Sequence, residues 1–170
     1  MRHITLISTG GTIEKTYDEL TGSLSNARSI VPLMLRRLRL EDTIVNTIQL
    51  LSKDSLDITD DERLRIVETA RLLGCSAGCD GVVILHGTDT LTATGELIYE
   101  RIIDPPVPII LTGAMRPFEM KHSDALQNLT ESIFATGILA PGVYVVAHGR
   151  TLQFPGVLKD RAKKTFIKQA

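Results

Sequence analysis

The chain has 170 residues, 43% of them hydrophobic, enough to enclose one sizeable core and within the ordinary size of a single domain, which is expected to span residues 1–170. Nineteen Lys and Arg against twenty Asp and Glu leave a formal charge of -1, which argues against a nucleic-acid footprint and against attachment to an anionic membrane. No basic, apolar and small-residue leader opens the sequence and no apolar run reaches bilayer length, so a cytoplasmic protein with a small-molecule ligand is expected.

Ile4 to Ser8 is a short β-rich run that ends in the turn Thr9-Gly10-Gly11-Thr12. The segment Thr16 to Arg28 is polar, lacks a clean period and is long for a strand-to-helix connection, so it is read as a mobile loop over a site. Ile30 to Leu38 has helical spacing, with Arg36, Arg37 and Arg39 as its solvated face. Thr43 to Leu51 alternates as a strand. Thr59-Asp60-Asp61-Glu62 has the form of a capping box, which marks the start of a helix from Asp60 to Leu73. Cys75 and Cys79 are too few for a disulfide framework and lack the partners of a zinc site; they read as buried small apolar residues.

Gly81 to Leu85 is a continuous apolar run, the pattern of a strand covered on both faces, and it leads into His86-Gly87-Thr88-Asp89-Thr90. A helix from Thr92 to Ile103, a strand from Val107 to Leu111, a helix from Ser123 to Thr136 and a strand from Gly142 to Ala147 follow by the same criteria. From Gln153 onward Lys159, Arg161, Lys163 and Lys164 crowd the chain and no element is legible.

This alternation predicts an α/β fold: a three-layer, doubly wound domain with a mainly parallel sheet. Ligands bind such sheets at the carboxyl ends of the strands, so the two threonine turns are expected to share one site. A threonine hydroxyl is a weak nucleophile at neutral pH and needs a base or a polarised hydrogen-bond chain. Thr12, Tyr17, Thr88, Asp89 and Lys159 supply the residue types: a hydroxyl nucleophile, a phenol to relay its proton, and a Thr-Lys-Asp chain. Glycine-threonine turns also cap helices and bind phosphate, and Asp89 has a helix-capping reading that can coexist with a ligand role. His86 and His148 read as backbone-bonding residues, His3 and His122 as surface or capping residues, and no metal or cofactor is expected.

Ser8-Thr9-Gly10-Gly11-Thr12-Ile13 and His86-Gly87-Thr88-Asp89-Thr90-Leu91 resemble, in that order, the two signature motifs of the bacterial-type L-asparaginase and glutaminase family. The resemblance continues through Leu111-Thr112-Gly113-Ala114-Met115-Arg116-Pro117 and through Ser123-Asp124-Ala125 with Asn128-Leu129. It implies an amidohydrolase that converts L-asparagine to L-aspartate and ammonia through a threonine acyl-enzyme, with side activity on glutamine open. Thr12 matches the nucleophile, Thr88 and Asp89 the second motif, and Lys159 the lysine that follows the fifth strand. Tyr17, the only tyrosine in the loop after Thr12, matches the activating tyrosine at a shorter spacing than is usual. Ser52 resembles the substrate-carboxylate binder, with Lys53 beside it where a polar amide or serine is common, and the backbone near Gly11 and Thr88 would donate to the oxyanion.

Family members generally carry a second, C-terminal α/β domain and work as homo-oligomers, so the resemblance is to a short-chain form expected to assemble from identical subunits. A rival reading is a non-catalytic amino-acid-sensing domain that keeps the strand-end pocket. A Rossmann-like nucleotide site is disfavoured, because the first turn lacks the spaced triple-glycine fingerprint.

Overall fold

The computed structural model describes residues 1–169 and is built on a six-stranded sheet. In chain order the strands are β1 (Arg2–Gly10), β2 (Thr16–Asp18), β3 (Ser23–Ser25), β4 (Thr43–Lys53), β5 (Gly81–Leu85), β6 (Pro108–Thr112), β7 (Gly142–Ala147), β8 (Arg150–Gln153), β9 (Val157–Asp160) and β10 (Thr165–Lys168). The α-helices are α1 (Val31–Leu35), α2 (Asp60–Gly74), α3 (Leu91–Arg101) and α4 (Ala125–Ala135). The main sheet runs β4-β1-β5-β6-β7-β8, parallel throughout except for β8, which is antiparallel to β7.

The period of two along each strand sends alternate side chains to opposite faces, and here both faces are covered. Ile7, Val82, Ile84 and Ile109 pack against Ile66, Val67, Leu91 and Ile98 of α2 and α3. Ile4, Leu6, Val83 and Leu85 pack against Met34 of α1 and Leu129 and Ile133 of α4. The result is the three-layer α/β arrangement, and it explains why the central strands read as unbroken apolar runs. Each such side chain, fully buried, contributes roughly 1.5–3 kcal/mol of transfer free energy.

The strand order matters for the site. From β1 the chain passes to β4 on one side and then to β5 on the other, so the direction of winding reverses between β1 and β5. That reversal opens a crevice at the carboxyl ends of these two strands, the place where open α/β sheets bind ligands.

Four local features differ from the sequence reading. Thr16 to Arg28 is not an irregular loop but contains the β2–β3 hairpin, closed by Gly22 at φ 66 and by the Asp18 carboxylate, which accepts from the Leu20 amide and the Thr21 hydroxyl. Three-residue strands with no apolar alternation leave no period to read. Helix α1 stops at Leu35, short of Leu38, and Arg37 lies 5.9 Å from the Phe118 ring centroid. The segment beyond Gln153 forms the antiparallel β9–β10 hairpin. Cys75 is exposed and Cys79 half-buried, because Cys75 is the C-cap residue of α2, beyond the helix's packed face.

The expected capping box is formed in both directions between Thr59 and Glu62. Among the described residues no helix is long and apolar enough to cross a membrane, and no group of three His, Cys, Asp or Glu gathers as metal ligands would.

Candidate functional site

The end of β1 is shaped by glycine. Its register with β4 shifts between Ser8 and Gly10, and Gly10 and Gly11 adopt φ values of 97 and 75. A β-carbon on Gly10 would lie 2.5 Å from the Lys53 amide nitrogen, and one on Gly11 would overlap that of Gly87. No side chain fits there, so only glycine lets the Thr12 turn rest directly on the turn that carries Thr88. The same close approach recurs at Gly87, where a β-carbon would meet Ser55 Cβ at 2.5 Å, and at Gly113, where it would overlap the His86 carbonyl oxygen. The ends of β4, β1, β5 and β6 thus converge backbone to backbone. Half-buried Thr12 opens a 3-10 turn at this point, and buried Thr88 follows Gly87.

Lys159 arrives from β9, and α3 holds it in place. The Glu96 carboxylate accepts from the Gly156 amide at 2.6 Å and the Val157 amide at 3.3 Å, while the Phe154 ring fills the space that a β-carbon on Gly95 would occupy. Lys159 Nζ consequently donates to Thr88 Oγ1 at 2.8 Å and to Asp89 Oδ1 at 3.0 Å. The Arg161 guanidinium reaches the same Asp89 oxygen at 3.0 Å. The Lys159 hydrogen bond holds the Asp89 carboxyl below the usual carboxylate range, burial opposes it, and the charges of Lys159 and Arg161 add to the lowering. Asp89 does not cap α3; Thr90 occupies that N-cap position and its hydroxyl donates instead to the Ser55 carbonyl at 2.9 Å.

His86 supports the second turn from below. Its Nδ1 lies 2.9 Å from the Gly87 carbonyl, which requires a proton on Nδ1, and Nε2 then accepts from Thr94 Oγ1 at 2.9 Å. Burial lowers its pKa to about 4, the Gly87 carbonyl opposes that, and the Arg63 charge adds to it. It is a neutral, backbone-bonding residue, as expected. His148 departs from that expectation: Nε2 pairs with Asp124 Oδ2 at 2.7 Å and Nδ1 lies 3.2 Å from Thr165 Oγ1.

The remaining expected residues are distributed as follows. Tyr17 is 58% exposed on the hairpin, and its hydroxyl lies over the hairpin's own tip, 3.9 Å from where a Gly22 β-carbon would be. Ser52 Oγ donates to the Asn26 carbonyl at 3.0 Å. The Lys53 ammonium turns away to Glu62 at 2.6 Å, while its carbonyl receives the Gly11 amide at 2.8 Å. Gly11 is therefore held as part of the turn, and its own carbonyl accepts from Asn26 Nδ2 at 2.8 Å.

Three residues escaped the sequence reading. Ser55 is buried against Gly87 with an Oγ that has no partner among the described residues, so it serves to pack the β4 end under the second turn. Asn26 ties the hairpin base to Gly11 and to Ser52. Glu14 is buried, with its carboxylate held by the Ser8 and Ser29 hydroxyls beneath the Thr12 turn. Ser55 had one visible signal, an Asp-Ser pair just past a strand end, and Asp54 indeed caps the 3-10 turn there.

The family model described as Asparaginase, N-terminal matches residues 3–166. The chain belongs to the asparaginase family. This asparaginase-family chain is 32% identical over 155 residues to one of the subunits of the glutamyl-tRNA(Gln) amidotransferase of Haloquadratum walsbyi, covering 87% of itself and 33% of that protein. Over 141 residues it is 33% identical to the L-asparaginase of Thermococcus kodakarensis, covering 82% of itself and 42% of the relative. The structure of the thermostable L-asparaginase from Thermococcus kodakarensis superimposes with a TM-score of 0.81 at 31% identity, over 92% of this chain and 47% of that one. L-asparaginase I of Vibrio cholerae, at 23% identity and a TM-score of 0.83 over 98% of this chain and 51% of its own, shares the fold. The asparaginase-family chain thus spans about a third to a half of the relatives it matches. Thr12, Thr88, Asp89 and Lys159 all lie inside the matched span.

Proposed function

We propose that this asparaginase-family chain is the catalytic module of an amidohydrolase that hydrolyses the side-chain amide of L-asparagine to L-aspartate and ammonia. The observation that carries the reading is the convergence of the Thr12 turn on the Thr88 turn, with Lys159 bridging Thr88 and Asp89. Thr12 Oγ attacks the amide carbon, its proton passes to the departing nitrogen, and a β-aspartyl ester and ammonia result. Water then cleaves the ester and returns the proton to Thr12. With the Gly11 amide engaged by the Lys53 carbonyl, the backbone amides of Thr12 and Thr88 are assigned to the oxyanion in each half. The Lys159-Thr88-Asp89 chain orients and polarises the Thr88 hydroxyl toward the reacting centre. Tyr17 reaches Thr12 only if the β2–β3 hairpin folds inward on substrate, a motion typical of active-site loops. The Ser52 hydroxyl, at the end of β4, is the group assigned to the substrate's carboxylate, giving up its bond to the Asn26 carbonyl to do so.

A second reading, an ammonia-releasing component of a larger amidotransferase, is supported by the similarity to the glutamyl-tRNA(Gln) amidotransferase protein. Ammonia release from asparagine and from glutamine, measured side by side on the isolated chain, tests both. Turnover of asparagine supports the hydrolase; glutamine turnover appearing only with a partner protein supports the second reading; binding of either amino acid without turnover would leave a sensor.

A further inference from the structure

Beside Lys159 lies a cavity of about 250 Å³ lined by Met115, Arg116, Lys159, Arg161 and Lys164. Four of these five residues are cationic, in a chain whose formal charge is -1. The carboxylates that border these residues are already engaged. Asp89 is shared by Lys159 and Arg161, Asp124 by His148 and the amides of Met115 and Arg116, and Asp160 by the amide and ammonium of Lys163. Arg116 and Lys164 form no ion pair within the described residues, so two full positive charges line the cavity uncompensated.

Two different parts of the chain build this concentration. Arg116 comes from the turn after β6, held by the Asp124 carboxylate through the Met115 and Arg116 amides, and Arg161 and Lys164 come from the β9–β10 turn. The same hairpin carries Lys159 into the centre, so the positive wall and the Lys159-Thr88-Asp89 chain are built on one element. Arg116, Arg161 and Lys164 are exposed to solvent, so their shared positive potential attracts an anion to the cavity while water screens their mutual repulsion.

We propose that this cavity is an oxyanion subsite adjoining the reaction centre, which takes a carboxylate or phosphate group carried by the substrate beyond its reacting amide. The inference rests on the amidohydrolase reading only for its role in substrate choice; binding of the anion does not depend on it. Ser55 packs on Gly87, and the basic cavity opens at Lys159, which bonds the Thr88 hydroxyl, so polar groups serve two successive residues of the same turn. A substrate that fills both the crevice and this cavity is larger than asparagine, a second amide turned over beside the L-asparagine proposed above. Arg offers a planar fork to either oxyanion and Lys a point charge, and both chemistries fit the wall.

Inorganic phosphate and glutarate, a dicarboxylate without an amide, are the probes, followed by nuclear magnetic resonance titration with no substrate present. Saturable binding of one or both is expected, weakened about tenfold in the Arg116→Gln, Lys164→Gln double variant by loss of two exposed charge contacts. Tighter glutarate binding identifies a carboxylate as the natural group and tighter phosphate binding a phosphate. If Arg116→Gln disturbs the turn around Asp124, as a lowered unfolding temperature would reveal, Lys164→Gln alone carries the test with about a threefold loss. Lack of saturation by either probe, or equal affinity in wild type and variants, overturns the subsite. Because the titration contains no substrate, its failure is distinguishable from absence of amidase activity.

Discussion

Thr12 and Thr88 reach one crevice from different strands, but only Thr88 has an ammonium bonded to its oxygen. That asymmetry fits a division of labour in which Thr12 attacks and Thr88 manages protons. Thr12→Ala is expected to lower ammonia release from asparagine by at least ~10³-fold while leaving the thermal unfolding profile intact; near-normal release would remove Thr12 as the nucleophile. Lys159→Met removes the donor to both Thr88 and Asp89 and is expected to lower ammonia release by about 10²-fold or more with little change in the unfolding midpoint. Full activity in that variant would shift the role to another group. Asp89 has a depressed pKa in the folded chain, so its bond to Lys159 is fully present above the unfolded carboxylate value and is lost as pH falls through the lower folded one. His86 has the opposite chemistry. Its folded pKa of about 4 lies below the unfolded 6.5, so the unfolded chain binds the extra proton between these values and stability falls as pH drops through that window. The loss is on the order of 3 kcal/mol, and urea unfolding at pH 7 and pH 4.5 should show most of it in wild type and much less in His86→Gln.

Among the elements, α3 and the β8–β9 connection decide whether Lys159 is in reach. Gly95 of α3 leaves room for the Phe154 ring, whose Cζ would overlap an added β-carbon, and Phe154 is almost fully buried. Gly95→Ala gains up to ~1 kcal/mol of helix propensity, but the overpacked ring costs about 1–3 kcal/mol. The overlap wins because a buried ring has nowhere to turn. The expected outcome is a lower denaturant midpoint together with reduced turnover, since displacement of Phe154 carries β9 and Lys159 with it; an unchanged midpoint and full activity would show that β9 is positioned by other contacts. At the other side of the crevice, the hairpin base is pinned by Asn26 to Gly11, by Lys15 to Asp54 and by Ser29 to Glu14, so inward motion of Tyr17 is confined to residues 16–25.

At the scale of the whole molecule, apolar side chains stay exposed: Phe134 and Ile138 on and after α4, Tyr99 and Ile103 on and after α3, and Leu24 beside Tyr17. A homo-oligomer whose subunits cover some of this surface and shelter the hairpin is expected, and sedimentation velocity should find a dimer or larger. A strict monomer with full asparagine turnover would show that one chain holds the complete site. Hydrophobic period and turn chemistry were sufficient by themselves for the five parallel strands, the α/β class, the capping box at Thr59 and the two threonine turns, because each of these is a local pattern that neighbouring residues enforce. The β2–β3 and β9–β10 hairpins were not legible, since strands of three and four residues are too short to show an alternation of their own, and β9 is held by the Glu96 carboxylate 61 residues before Val157. Nor could any spacing announce Ser55, which lies 32 residues before the Gly87 it touches, or set Lys159 against Thr88 across a separation of 71. Those juxtapositions depend on strand order and on glycines that let backbones meet, and strand order is settled only when both faces of the sheet find their helices.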